Sequence, residues 1–360
     1  MLEISGAVRA YYLFDVADTI DLAKIGAFDG KTRAPAALPL RRQAPPYLQF
    51  PVPPLVANLP AAEFDELRAG IRVKFYDYGV VSLRLTFAAA GWNELTQLAE
   101  RARSDDRILN FAQAEVLRIC DEYAGAFDDR HAPLVEDYLI VEIERLPETH
   151  DAETLLDDHS AALASLLLGE RRALSREETA EALRTRFSYH DDDLTIVQWD
   201  TAIVYDRGES ARAIEEILEF ANSQLLELRT YDALLDRELD TIYKMQPGET
   251  PRSLRGRRQA EQAATLRYLI VDVLELTDRA SNALKIVGDA YYARIYRAAA
   301  ARLGLADWQR QIDAKLASVG EMYRFLSDDA RSRRDSFLEL TIVVLVAFEV
   351  LIGILTLLHL

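Results

Sequence analysis

The chain has a single cysteine, Cys120, which excludes an intramolecular disulfide and any metal site built on cysteine. Set in AEVLRICDEY on an apolar helical stripe, it reads as a buried structural thiol rather than a nucleophile. Positive charge is also scarce: 42 Lys and Arg stand against 59 Asp and Glu, for a formal net charge of −17. Binding duplex nucleic acid needs clustered cations that displace counterions from phosphates, so no DNA partner is expected. The opening MLEISGAVRAYY lacks the basic segment and apolar core of a secretory signal, and the Arg-rich character of a mitochondrial transit peptide. Walker A and Rossmann glycine patterns, HExxH and GxSxG are missing too, so no cofactor and no enzymatic activity are expected. What is present is 360 residues, enough to bury a sizeable core and to hold two or three domains.

One long hydrophobic run stands near the end. Residues 340–358 include 14 Leu, Ile, Val or Phe and one charge, Glu349. As a helix this stretch would reach roughly 28 Å, about the thickness of bilayer hydrocarbon, so 336–360 is expected to be a transmembrane tail anchor. Arg331, Arg333 and Arg334 precede it and no Lys or Arg follows, which by the positive-inside rule keeps the N-terminal bulk in the cytoplasm. A carboxyl at the bilayer midplane calls for a partner. Ala347 and Gly353 would let a second helix approach Glu349, so a homo-oligomer is expected.

Upstream, the sequence divides at about residue 207. An apolar run over 8–16 predicts a strand, ADTIDLAKIGAF a short helix, and the Pro-rich connector 35–60 an extended surface segment. IRVKFYDYGVVSLRLTF predicts a hairpin turning at Asp77 to Gly79, with a helix from Gly91 or Trp92. The order then recurs: EDYLIVEIERL as a strand, HSAALASLLLGE as a helix, RTRFSYHDDDLTIVQWDTAIVYD as a hairpin region. The expectation is an α+β head of two βαββα-like units side by side, 1–130 and 131–209, for which a ferredoxin-like arrangement is one form. Residues 210–335 carry helical periodicity, starting with about 33 residues through Ile214, Ile217, Ala221, Leu228, Leu235 and Ile242. They predict a long helical-hairpin or coiled-coil stalk.

FYDYGVVSLRLTFAAAGWNEL resembles the signature hairpin of the family named for "required for meiotic nuclear division", at Phe75, Tyr78, Gly79, Val80 and Val81. Glu339 and Glu349 stand where that family places a Leu-Glu pair and a second Glu within its span. Leu83 and Arg84 replace the aromatic that usually follows the Val run, which points to a divergent bacterial branch. The resemblance implies a self-associating protein of the bacterial cytoplasmic membrane, single-pass, with no established catalytic residues.

Two clusters carry candidate chemistry. YHDDDL offers His190 and Asp192 on one side of a strand as weak metal ligands, against a solvated turn. Asp157 to Ser160, DDHS, suits a helix start better than a catalytic triad. Arg252, Arg255, Arg257 and Arg258 form a basic loop able to contact lipid headgroups or a phosphate-rich partner such as ribosomal RNA. The expected function is a non-enzymatic, tail-anchored scaffold in contact with membrane lipid that presents its head to a protein partner. The alternatives are a membrane-tethered metal-dependent hydrolase and an adaptor tethering ribosomes or another assembly to the membrane.

Overall fold

A computed structural model describes residues 4–25, 34–35, 52–146, 151–206, 210–244, 271, 289–321 and 345. The chain divides into two compact units, Met1–Thr230 with Leu276–Gln309, and Tyr231–Glu275 with Arg310–Leu360.

The first unit is built on one nine-stranded sheet. Its strands are β1 (Ser5–Ile20), β2 (Ala34–Pro35), β3 (Leu55–Phe64), β4 (Leu67–Phe75), β5 (Val80–Ala89), β6 (Phe127–Arg145), β7 (Arg186–Phe187), β8 (Asp193–Val197) and β9 (Thr201–Asp206). They lie in the order β2-β3-β4-β5-β1-β6-β9-β8-β7. Every neighbouring pair is antiparallel except β6 and β9. The helices are α1 (Trp92–Ser104), α2 (Asp106–Glu122), α3 (Ala152–Leu168), α4 (Arg176–Ala182), α5 (Ala211–Lys244) and α6 (Ala290–Arg302). Their starts follow side-chain chemistry: Asp105, Asp151, Ser175 and Asp289 each accept a backbone N–H from the first turn of α2, α3, α4 and α6.

Alternation along the strands gives the sheet two unlike faces. Val8, Tyr12 and Phe14 of β1, Val73 of β4, Leu83 and Leu85 of β5 and Val141 of β6 join one apolar core with Leu95, Ile108 and Leu163 of α1 to α3. The intervening residues meet α5.

Several expectations are corrected. The two α+β units are one sheet, because β6 pairs with β1 on one side and β9 on the other and so joins both halves. Element order alone could not show that join. The helix expected over 17–28 is not seen at its start, where β1 runs on to Ile20, held by the pairs Thr19 with Asp128 and Ile20 with Phe127. The Pro-rich connector gives way at its end to β3, where Pro60 sits at a register shift and the neighbouring β2 covers only Leu55 and Val56. The helix expected from about 214 is present as α5, but its first five turns are buried in the sheet unit, and no long coiled-coil stalk stands among the described residues. In the second unit the end of α5 and the helical residues 310–321 bury Leu235, Ile312 and Val319, with Lys315 Nζ 2.6 Å from both Asp232 and Asp236.

The tail anchor is corrected as well. Among the described residues no helix is long and apolar enough to cross a membrane. The stretch 336–360, with Glu339, Ala347, Glu349 and Gly353, lies outside the described residues apart from Leu345. The transmembrane helix and the single-pass inner-membrane localisation therefore drop out of the functional reading.

Candidate functional site

The sheet face turned to α5 carries charge where a buried face usually carries aliphatic side chains. Arg9 and Tyr11 of β1, Arg72 and Lys74 of β4, Arg84 of β5 and Glu142 of β6 lie on that side. The 3.6-residue period of α5 brings Glu215, Glu216 and Glu219 to one flank to meet them. The Arg9 guanidinium bridges Glu142 and Glu215. Glu215 also lies 3.3 Å from Arg84 Nη1 and accepts a hydrogen bond from the Tyr11 hydroxyl at 3.3 Å. Lys74, its side chain 2% exposed, sits between Glu216 and Glu219, and Arg72 reaches Glu216 at 3.2 Å. Four cations thus face four carboxyl groups along one seam. Farther along α5, Arg229 pairs with Glu136 of β6.

The seam sets its members' titration apart. Burial raises the Glu142 carboxyl to about 7, with Arg9 opposing and the charge of Glu215 adding to the rise. Burial acts on Glu216 in the same sense, but Lys74 and Arg72 outweigh it and hold that carboxyl below the ordinary glutamate value. The phenols of Tyr11, Tyr76 and Tyr78 are pushed up first by burial, then by nearby carboxylates such as Glu215, Glu219 and Glu227, and stay neutral. Such a seam can fix the register of a helix. Isolated charges buried here would cost several kcal/mol each, so every misplacement of α5 is penalised.

The hairpin singled out by resemblance adjoins this seam. Phe75 and Val81 are fully buried on the apolar face, while the Tyr78 hydroxyl meets Ser223 Oγ of α5 at 2.8 Å and stacks its ring on Tyr76 at 5.0 Å. Val80 opens β5 with its N-terminal neighbour Gly79 at φ 91°, where a Cβ would fall 1.7 Å from the Ala17 carbonyl oxygen. Only glycine fits that approach. The turn is gripped by β1, whose Val16 and Ile20 amides donate to the carbonyls of Gly79 and Asp77 at 3.1 and 2.8 Å.

His190 and Asp192 lie in an exposed turn before β8, shaped by Asp193, whose carboxylate accepts from the amides of Tyr189 and His190 at 2.8 and 2.9 Å. Among the described residues no group of three or more His, Cys, Asp or Glu could hold a metal ion. The DDHS stretch falls inside α3, which starts at Ala152 and departs from helical geometry at His159. Cys120 is buried in α2, and burial pushes its thiol up to about 11. Arg252, Arg255, Arg257, Arg258, Arg331, Arg333 and Arg334 lie outside the described residues.

Sequence reasoning missed the seam altogether. A faint signal existed: cations at alternating strand positions 72 and 74, and carboxylates at 215, 216 and 219 beside the apolar stripe of the following helix.

The fold and seam define a class, an α+β domain with a single mixed sheet and a helix clamped to it by buried ion pairs. Residues 5–211 match the family described as "Uncharacterized protein MJ0711, N-terminal domain", and this chain belongs to that family. Uncharacterized protein MJ0711 of Methanocaldococcus jannaschii is 23% identical over 208 residues, 58% of this chain and 63% of that relative. The chain thus covers less than two thirds of the relative's length. The matched residues take in all nine strands and end at the first residue of α5. That match has no bearing on the local likeness of residues 75–81 to the meiotic-nuclear-division family.

Proposed function

We propose that the chain is a non-enzymatic scaffold that self-associates and presents its α+β head to a protein partner. The observation that carries this reading is the seam. Its eight charged groups are engaged with one another beneath α5, an arrangement suited to holding a helix in place rather than to turning over a substrate. The likeness at Phe75, Tyr78 and Gly79 to a family with no established catalytic residues supports the same reading. Sedimentation velocity on the full chain at rising concentration is expected to show association. A strict monomer at every concentration, together with turnover of a phosphodiester or ester probe stimulated by Mg²⁺, Mn²⁺ or Zn²⁺, would replace the scaffold with an enzyme.

A further inference from the structure

On the apolar side of the sheet, α3, α4 and the start of β7 border a cleft of about 500 Å³, a size that holds small organic ligands. Its apolar wall comes from Leu156, Leu174 and Leu183, with Ala161 and Ala180 leaving room between them. Arg176 and Arg186 also line it, with Asp157, Ser160 and Thr179. Two cations against one carboxylate give the lining a positive balance in a chain whose net charge is −17. Arg186 is already oriented: its Nη1 donates to the Leu183 carbonyl at 3.0 Å, which engages one of five donors and holds the guanidinium fork beside the apolar wall. The bend of α3 at His159, φ −126° and ψ 15°, falls between the lining residues Asp157 and Ser160. Neither proline nor glycine is there to cause it.

We propose that this cleft binds a small amphipathic monoanion, an aliphatic chain ending in a carboxylate. The chain lies along the three leucines, and the carboxylate is taken by an arginine fork, whose planar donors match two carboxylate oxygens. The Ser160 and Thr179 hydroxyls add neutral donors at the same lining. A neutral ligand of the same length would leave the arginines without an anion, and a dianion would overcompensate the lining.

Calorimetric titration of the full chain with sodium octanoate, and with octan-1-ol as the neutral counterpart, tests this. Octanoate should bind saturably with one site per chain, and octanol at least tenfold more weakly. Arg176→Gln and Arg186→Gln, both at exposed positions, should each weaken octanoate about tenfold. Ala180→Leu, which narrows the cleft and keeps both arginines, should weaken octanoate at least tenfold. Arg171→Gln, whose ion pair is with Glu100 and which does not line the cleft, should leave binding unchanged. The proposal is overturned by equal affinity for octanoate and octanol, by unchanged affinity in both cleft arginine variants, or by no heat of binding up to millimolar octanoate.

Discussion

Val8, Val73, Leu83 and Leu85 on one face of the sheet and the buried Lys74 and half-buried Arg9 and Arg84 on the other are strand neighbours, one residue apart, yet they are covered by opposite means. The apolar face gains from area removed from water, a force with no direction, so similar volumes can be exchanged at modest cost. The face under α5 gains only if each carboxylate meets its cation, because a charge left alone in that layer is far worse than no charge. One face supplies bulk stability, and the other selects a single placement of the helix.

Lys74→Met should break this contrast most strongly. It leaves Glu216 with Arg72 and removes the cation that pairs with Glu219, and should cost about 4 kcal/mol in urea denaturation. Adding Glu216→Leu and Glu219→Leu to Lys74→Met should recover most of that loss, since a well-packed apolar replacement of a whole buried network is often neutral. A triple variant as weak as the single one would show that the seam does more than pair charges. On the opposite face Leu85→Ala, at a fully buried position, should cost about 3 kcal/mol by loss of transfer energy and formation of a cavity.

The smallest effect separates the faces by pH, which acts on the carboxylates of the seam and not on the aliphatic side chains opposite. Glu142 has its folded-state carboxyl raised from 4.5 to about 7, so its favourable contribution is fully present below pH 4.5 and is lost as pH rises to about 7. Glu216 is lowered instead, so its contribution is present above the ordinary glutamate value of 4.5 and is lost as pH falls below it. Glu142→Gln should flatten the slope of unfolding free energy between pH 4.5 and 7, a change of about 2 kcal/mol across that window. Leu85→Ala should shift the whole curve without altering its slope.

Much of the strand content was legible, because alternation and the Tyr78-Gly79 turn are local signals. The hairpin of β4 and β5 and the length of α5 follow from such signals. The seam was not legible. Arg72 and Lys74 look like the solvent side of a half-buried strand, and Glu215, Glu216 and Glu219 look like the wet side of an amphipathic helix. Each pattern alone points outward, and their cancellation depends on contacts between residues 131 or more positions apart. The parallel pairing of β6 and β9 was hidden for the same reason. The cleft between α3 and α4 left one trace, a helix-start signal at DDHS that marks the bend at His159 rather than the beginning of the helix.

β1 lies between β5 and β6 although it precedes both in the chain. At synthesis rates of about 5–20 residues per second, roughly 3–14 seconds separate the appearance of Ile20 from that of Ala89, and β6 comes later still. Through that interval the strand destined for the centre has both edges open to any other nascent chain. Arg9, whose eventual partner Glu215 emerges 206 residues behind it, is then an unneutralised charge in the middle of an apolar run. A charge at that position disfavours pairing of β1 with a foreign strand, as charges on edge strands do in general.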